Sequence, residues 1–161
     1  MEDSRGVLQG LKAIFDKEEI EGISSIHLGD IIYVSLDQED GLILSNGYND
    51  RLKYLVIIGF TPEGNAIGSL LVNSEIDLSK RSQELMDCQY PLQIRNYKHI
   101  LDYDSWLDCS DIFEIPKSKL AEKGAKRKGC LIDEDRERIL AFLQESDVFD
   151  NVTKRRYGLI E

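Results

Sequence analysis

Several things are scarce in this 161-residue chain, and each scarcity removes a class of protein. It has 3 cysteines, Cys88, Cys109 and Cys130, an odd number at wide spacing with no Cys-x-x-Cys. That excludes a disulfide framework and a cysteine zinc site, and predicts reduced, mostly buried thiols, with Cys109 and Cys130 as small core residues. Its 2 histidines, His27 and His99, leave little material for a metal cluster or a Ser-His relay. His99 next to Lys98 has no carboxylate partner placed by spacing. No apolar run approaches the roughly 20 residues of a membrane span. The opening "MEDSRGVLQG" is acidic and lacks the basic-then-apolar order of a signal peptide, so the cytoplasm is the expected address. No repeat or Pro/Ser-rich linker divides the chain, and a single domain over 1–161 is expected.

What is present is acidity, unevenly distributed. The net charge is −10, which argues against a general nucleic-acid coat protein. Residues 1–116 carry 9 Lys/Arg against 21 Asp/Glu, whereas 117–161 carry 11 against 9. The cations bunch at Lys117, Lys119, Lys123, Lys126, Arg127 and Lys128, and again at Lys154, Arg155 and Arg156. The acidic run "LDYDSWLDCSD" places Asp102, Asp104 and Asp108 on one strand face by alternation. Its spacing matches no metal loop, so an exposed polar face is expected, with Trp106 in the core.

Hydrophobic period then orders the elements. Val7, Leu8, Leu11, Ile14 and Phe15 fall at helical spacing and predict a helix from about Ser4 to Glu19, within an extension over 1–22. "GDIIYVSLD", "GLIL", "KYLVIIGFT" and "AIGSLLVNS" read as strands, the last two a hairpin about Pro62-Glu63-Gly64-Asn65. Residues 75–90 read as an irregular loop, and "PLQIRNYKHI" and "SWLDCSDIFEIP" as further strands. "PKSKLAEKGAKRKG" is a cationic connection. "DEDRERILAFLQES" is a helix with anions at its N-terminus, and "DNVTKRRYGL" a short last helix capped by Asp150 or Asn151 and stopped by Gly158. The expected class is α+β, on a small bent antiparallel sheet or barrel.

Inside "NDRLKYLVIIG", Arg51 and Lys53 stand at the mouth of an apolar strand. Their plain reading is a cationic guard on a strand edge. The order "GDIIYVSLD", "KYLVIIG", "GSLLVNSEI" and "KRKGCLIDEDRERILAFL" also resembles the MazF/PemK-like superfamily of plasmid maintenance toxins. The resemblance covers most of the chain, with a core over 29–145. It implies a small SH3-like antiparallel β-barrel with an N-terminal helix and C-terminal helices, forming a homodimer. It further implies a metal-independent endoribonuclease without cofactor, acting on single-stranded RNA and neutralised by an antitoxin protein. In such transesterification the 2′-hydroxyl attacks the neighbouring phosphate, a cation stabilises the developing charge and a hydroxyl assists. Carried over by position, Lys53 stands where the family has its arginine, with Arg51 on the same strand face. Ser74 supplies the hydroxyl and Asn73 a hydrogen-bonding neighbour. Lys126, Arg127 and Lys128 would attract the RNA backbone. The family proline is replaced by Tyr54, and lysine lacks the planar fork of arginine. A second expectation is therefore a non-catalytic member of the fold that binds a protein, either an antitoxin or a gyrase-like target. A barrel domain with neither role is the third.

Overall fold

The computed structural model describes residues 26–40, 50–73, 87–102 and 104–161, with the backbone alone at Asp50, Arg51, Val72, Asn73 and Asp111. The expected N-terminal helix, the "GLIL" strand, Ser74 and the loop over 75–86 lie outside the described residues. Six strands form one antiparallel sheet: β1 (Asp30–Asp37), β2 (Asp50–Phe60), β3 (Ala66–Asn73), β4 (Gln89–Leu92), β5 (Ser105–Ile115) and β6 (Lys126–Cys130), in spatial order β4-β5-β3-β2-β1-β6. Three helices follow or interrupt them: α1 (Lys117–Glu122), α2 (Asp133–Glu145) and α3 (Asn151–Arg156). The domain is thus α+β, as its patterning implies. The expected closed barrel is not seen among the described residues, where β4 and β6 are the two edges of an open sheet. No helix among them is long and apolar enough to cross a membrane.

The central strands are apolar at nearly every position because both faces of the sheet are covered. Alternation sends Ile31, Val56, Ile58 and Ile67 into one core, completed by Ile139 and Leu143 of α2, Leu159, and Tyr97, Ile100 and Leu101 of the segment before β5. It sends Ile32, Val34, Leu55 and Ile57 into a second core, closed by Leu120 of α1 and Ala125. Each such aliphatic side chain contributes on the order of 1.5–3 kcal/mol on burial. Register shifts between Ile57 and Gly59 and between Ser69 and Leu71 mark irregularities in the ladders of β2–β3 and β3–β5, of the kind that bends a sheet.

Two sequence expectations are corrected here. "PLQIRNYKHI" is a strand only to Leu92; a 3-10 turn over Ile94–Asn96 follows. The reason is Tyr97, fully buried, whose hydroxyl donates to Asp135 Oδ2 at 2.5 Å and accepts from the Ile132 amide at 3.2 Å. That anchor on α2 draws the chain out of the sheet. The cationic connection is not a plain loop either: it holds α1 and then β6. Pro116 precedes the helix without costing a hydrogen bond, and the single buried Leu120 docks it. The last helix agrees with expectation, with Asp150 accepting from the Thr153 amide at 2.7 Å and Gly158 at φ 74° beyond it.

Ion pairs fasten the helices to the sheet. Asp40, in the 3-10 turn after β1, receives Lys119 Nζ on one carboxylate oxygen and Lys123 Nζ on the other, each at 2.8 Å. Lys123 also donates to the Ser35 carbonyl at 3.0 Å. At the opposite end, Arg156 bridges Glu63 and Glu114, and the Phe60 amide donates to the Tyr157 carbonyl at 3.1 Å. There the backbone of α3's end approaches so closely that a Cβ on Gly59 would lie 2.2 Å from that carbonyl oxygen.

Gly59→Ala is therefore expected to destabilise the domain by roughly 1–3 kcal/mol or more, read by denaturant unfolding. A small, unaltered change would contradict the docking of α3. For Asp40, burial opposes the charge, but hydrogen bonds from Lys119 and Lys123 win and hold the carboxyl at about 2, below its ordinary 3.8. A depressed carboxylate stabilises above its unfolded pKa and loses that contribution as pH falls through the folded one. Asp40→Asn should lower the melting temperature by roughly 2–8 °C near pH 7. The gap should close as pH falls from about 4 towards 2. A pH-independent gap would sink the assignment.

Candidate functional site

The pairing of β2 with β3 and of β1 with β6 brings several strand ends together. Because Leu55 pairs with Leu70 in an antiparallel hairpin, the mouth of β2 lies beside the end of β3. Because Lys126 pairs with Tyr33 and Asp30 with Cys130, β6 opens towards the same end of the sheet. Arg51, Lys53, Asn73 and Lys126 are thus gathered at one end, which also holds the start of β5, where Ser105 pairs with Asn73.

They are not gathered on one face. Lys53 pairs with Val34 and Arg51 with Leu36, two residues of the α1-side core. Lys126 pairs with Tyr33, on the other side of the ladder. Arg127 pairs with Ile32 and points back along that strand: its Nε lies 3.1 Å from Oδ1 of Asp30, whose side chain is 2% exposed. Asp30 also accepts from the His27 amide at 2.8 Å. Arg127 thus neutralises a buried carboxylate at the start of β1. Lys53 is half-buried and Ser74 lies outside the described residues. Among the described residues no cluster of three or more His, Cys, Asp or Glu could hold a metal.

The face that carries Lys126 presents a surface the sequence reading passed over. Tyr33 and Tyr54 are cross-strand partners with ring centroids 4.8 Å apart and tilted by 38°. Tyr54 is fixed by its hydroxyl, which donates to the Ile100 carbonyl at 3.2 Å. Burial, then Tyr33, then Asp102 raise the Tyr54 phenol above its ordinary value, so it stays protonated. Lys128 Nζ sits 5.9 Å above the Tyr33 ring. One step along the same face, Leu52 pairs with Ser35 and is 59% exposed. Gly129 lets this face meet the segment before β5: a Cβ there would lie 2.6 Å from Ile100 Cδ1 and 3.2 Å from His99 Nε2.

The signal for this surface was in the sequence. "IIYVSLD" and "RLKYLV" each put an aromatic on the alternate face from their aliphatics, but only the register brings the two rings side by side. Cys130 departs from expectation: it is exposed at the end of edge strand β6, whereas Cys88 and Cys109 are buried as read. Trp106, expected in the core, is half-buried between Val72 and Pro91 on the flanking strands. No family model matches this chain, and no curated protein matches it.

The two neighbouring cations of β6 should behave differently on removal. Arg127→Ala leaves Asp30 buried without its cation and is expected to cost about 1–3 kcal/mol in urea unfolding. Lys128→Ala should stay within about 0.5 kcal/mol of the parent. Equal effects would contradict the Asp30 pairing.

Proposed function

We propose that this domain is a non-catalytic binding module, with an open-sheet relative of the SH3-like fold of the MazF/PemK-like toxins, that works in the cytoplasm by docking a protein partner on the Tyr33–Tyr54 face. The observation that carries this reading is Leu52, 59% exposed beside the paired rings of Tyr33 and Tyr54. Aromatic and aliphatic side chains fixed on a rigid sheet and rimmed by charge are the composition of a protein-interface core. Tyrosine supplies area at small entropic cost, and here the rings are already held by neighbouring strands. The net charge of −10 favours the same choice, since it weakens long-range attraction for a polyphosphate.

The second reading is a metal-independent endoribonuclease acting on single-stranded RNA. It is supported by the meeting of the β2 mouth with the β3 end, which brings the backbones of Arg51 and Lys53 near that of Asn73. A homodimer and an antitoxin-like protein partner belong to either reading. The split of Lys53 and Lys126 onto opposite faces, with Arg127 bound to Asp30, weighs against a single phosphate cradle.

The two separate cleanly. Purified full-length protein incubated with single-stranded RNA in EDTA should leave the RNA intact, while the parent retains a defined protein partner that Leu52→Ser releases. RNA cleavage that survives EDTA and vanishes in Lys53→Ala would overturn the binding-module reading.

A further inference from the structure

At the edge of the sheet opposite β6, a cavity of about 250 Å³ opens between strand β4, the 3-10 turn that follows it and the first two turns of α2. Asp135 ties its two walls together. Tyr97 donates to one oxygen of that carboxylate at 2.5 Å, and Tyr90 of β4 to the other at 3.1 Å. Burial, then Asp135, raise the Tyr90 phenol above its ordinary value, so the hydroxyl keeps its proton. On the helix wall, Arg138 is already paired with Glu134 at 2.8 Å. The opposite wall differs. Gln93, Arg95 and Asn96 line the cavity there, and Gln93 makes no side-chain capping bond to the turn it precedes. Among the arginines whose side chains are described, Arg127, Arg136, Arg138 and Arg156 each hold a carboxylate, and Arg155 holds a carbonyl. Arg95 alone among them is engaged by no other group of the chain.

We propose that this cavity binds a small polyhydroxylated carboxylate of the sugar-acid class, with Arg95 gripping the carboxylate and Gln93 and Asn96 matching the hydroxyls. The site is separate from the Tyr33–Tyr54 face and does not depend on that face docking a protein. Each part of the ligand follows from the lining. A guanidinium presents a planar fork that pairs with both oxygens of a carboxylate. Carboxamides offer a donor and an acceptor together, which a hydroxyl satisfies and an aliphatic group does not. Tyr90 and Pro91 add a small apolar strip for the C–H face of a sugar ring. Glu134 and Asp135 share the cavity with Arg95, so a second negative charge on the ligand would be repelled. That disfavours a phosphate monoester, which carries more than one charge near neutral pH. Size sets the last limit. The volume is that of about eight waters at ~30 Å³ each, enough for one monosaccharide and too little to enclose a dinucleotide.

The test titrates the full-length chain with glucuronate, galacturonate and gluconate, followed by two-dimensional amide NMR spectra, with glucose, acetate and a glucose phosphate ester as comparators. At least one sugar acid should bind saturably, with a dissociation constant on the order of 1 mM or tighter. It should shift the amides of residues 90–96 and 134–138 and leave those of β1 and β6 in place. Glucose and acetate each lack half of the ligand and should bind at least about tenfold more weakly. Arg95 is exposed, so Arg95→Gln should keep the parent's melting temperature while losing at least about tenfold in affinity. Arg95→Lys keeps the charge without the fork and should recover only part of that loss. The proposal is overturned if none of the three acids binds saturably, if Arg95→Gln leaves binding unchanged, or if the shifted amides are those of β1 and β6. Acetate binding as tightly as the sugar acids would reduce the site to a surface ion contact and overturn it too. Tighter binding of the phosphate ester would overturn the assignment of a singly charged ligand.

Discussion

The structure depends on one constraint: the three central strands β3, β2 and β1 are buried on both faces at once. Ile31, Val56 and Ile67 must face α2, and Ile32, Leu55 and Ile57 must face α1. Strand side chains alternate, so a slip by one residue between β1 and β2 would exchange the two sets and strand each against the wrong helix. That requirement fixes Tyr33 opposite Tyr54, Ser35 opposite Leu52 and Val34 opposite Lys53. The candidate surface lies on the same side of the sheet as α2, at the paired Tyr33 and Tyr54 and the exposed Leu52.

Charge is distributed by the same geometry. Along the chain, Lys117 to Lys128 looks like one basic cluster. In space it separates into a clamp, a neutraliser and a rim. Lys119 and Lys123 secure α1 to the turn after β1 through Asp40. Arg127 compensates the buried carboxylate of Asp30. Lys126 and Lys128 are exposed on β6, with Lys128 over the Tyr33 ring. Removing a clamp or the neutraliser leaves an uncompensated charge near the core.

Patterns with a clear period could be read from the sequence. Gly29-Asp30 opens β1, the hairpin turns at Pro62 to Asn65, and "DEDRERILAFL" is α2, all from local signals. Two things depended on distant partners. Residues 93–100 carry strand-like alternation, but Tyr97 bonds to Asp135, 38 positions away, and the segment becomes turns. The stretch "KSKLAEKGAKRKG" is too polar to show a period, yet buried Leu120, with Lys119 and Lys123 on Asp40, docks a short helix. At the site, the sequence sets Arg51 and Lys53 two positions apart along β2. It cannot show that Lys126 shares a face with Tyr33 instead, because that follows from β1–β6 register and its bulge. Leu52 was unremarkable in sequence for the same reason: nothing local says that it is exposed.

The central claim is that the face carrying Tyr33 and the exposed Leu52 is where this protein meets its partner. Hydrogen–deuterium exchange on the full chain, free and bound to its partner, tests this most directly. The account predicts slowed exchange confined to β1, the first half of β2 and β6, with α2 and α3 unchanged. Protection centred on α2 and α3, with β1 and β6 exchanging as in the free protein, would contradict it.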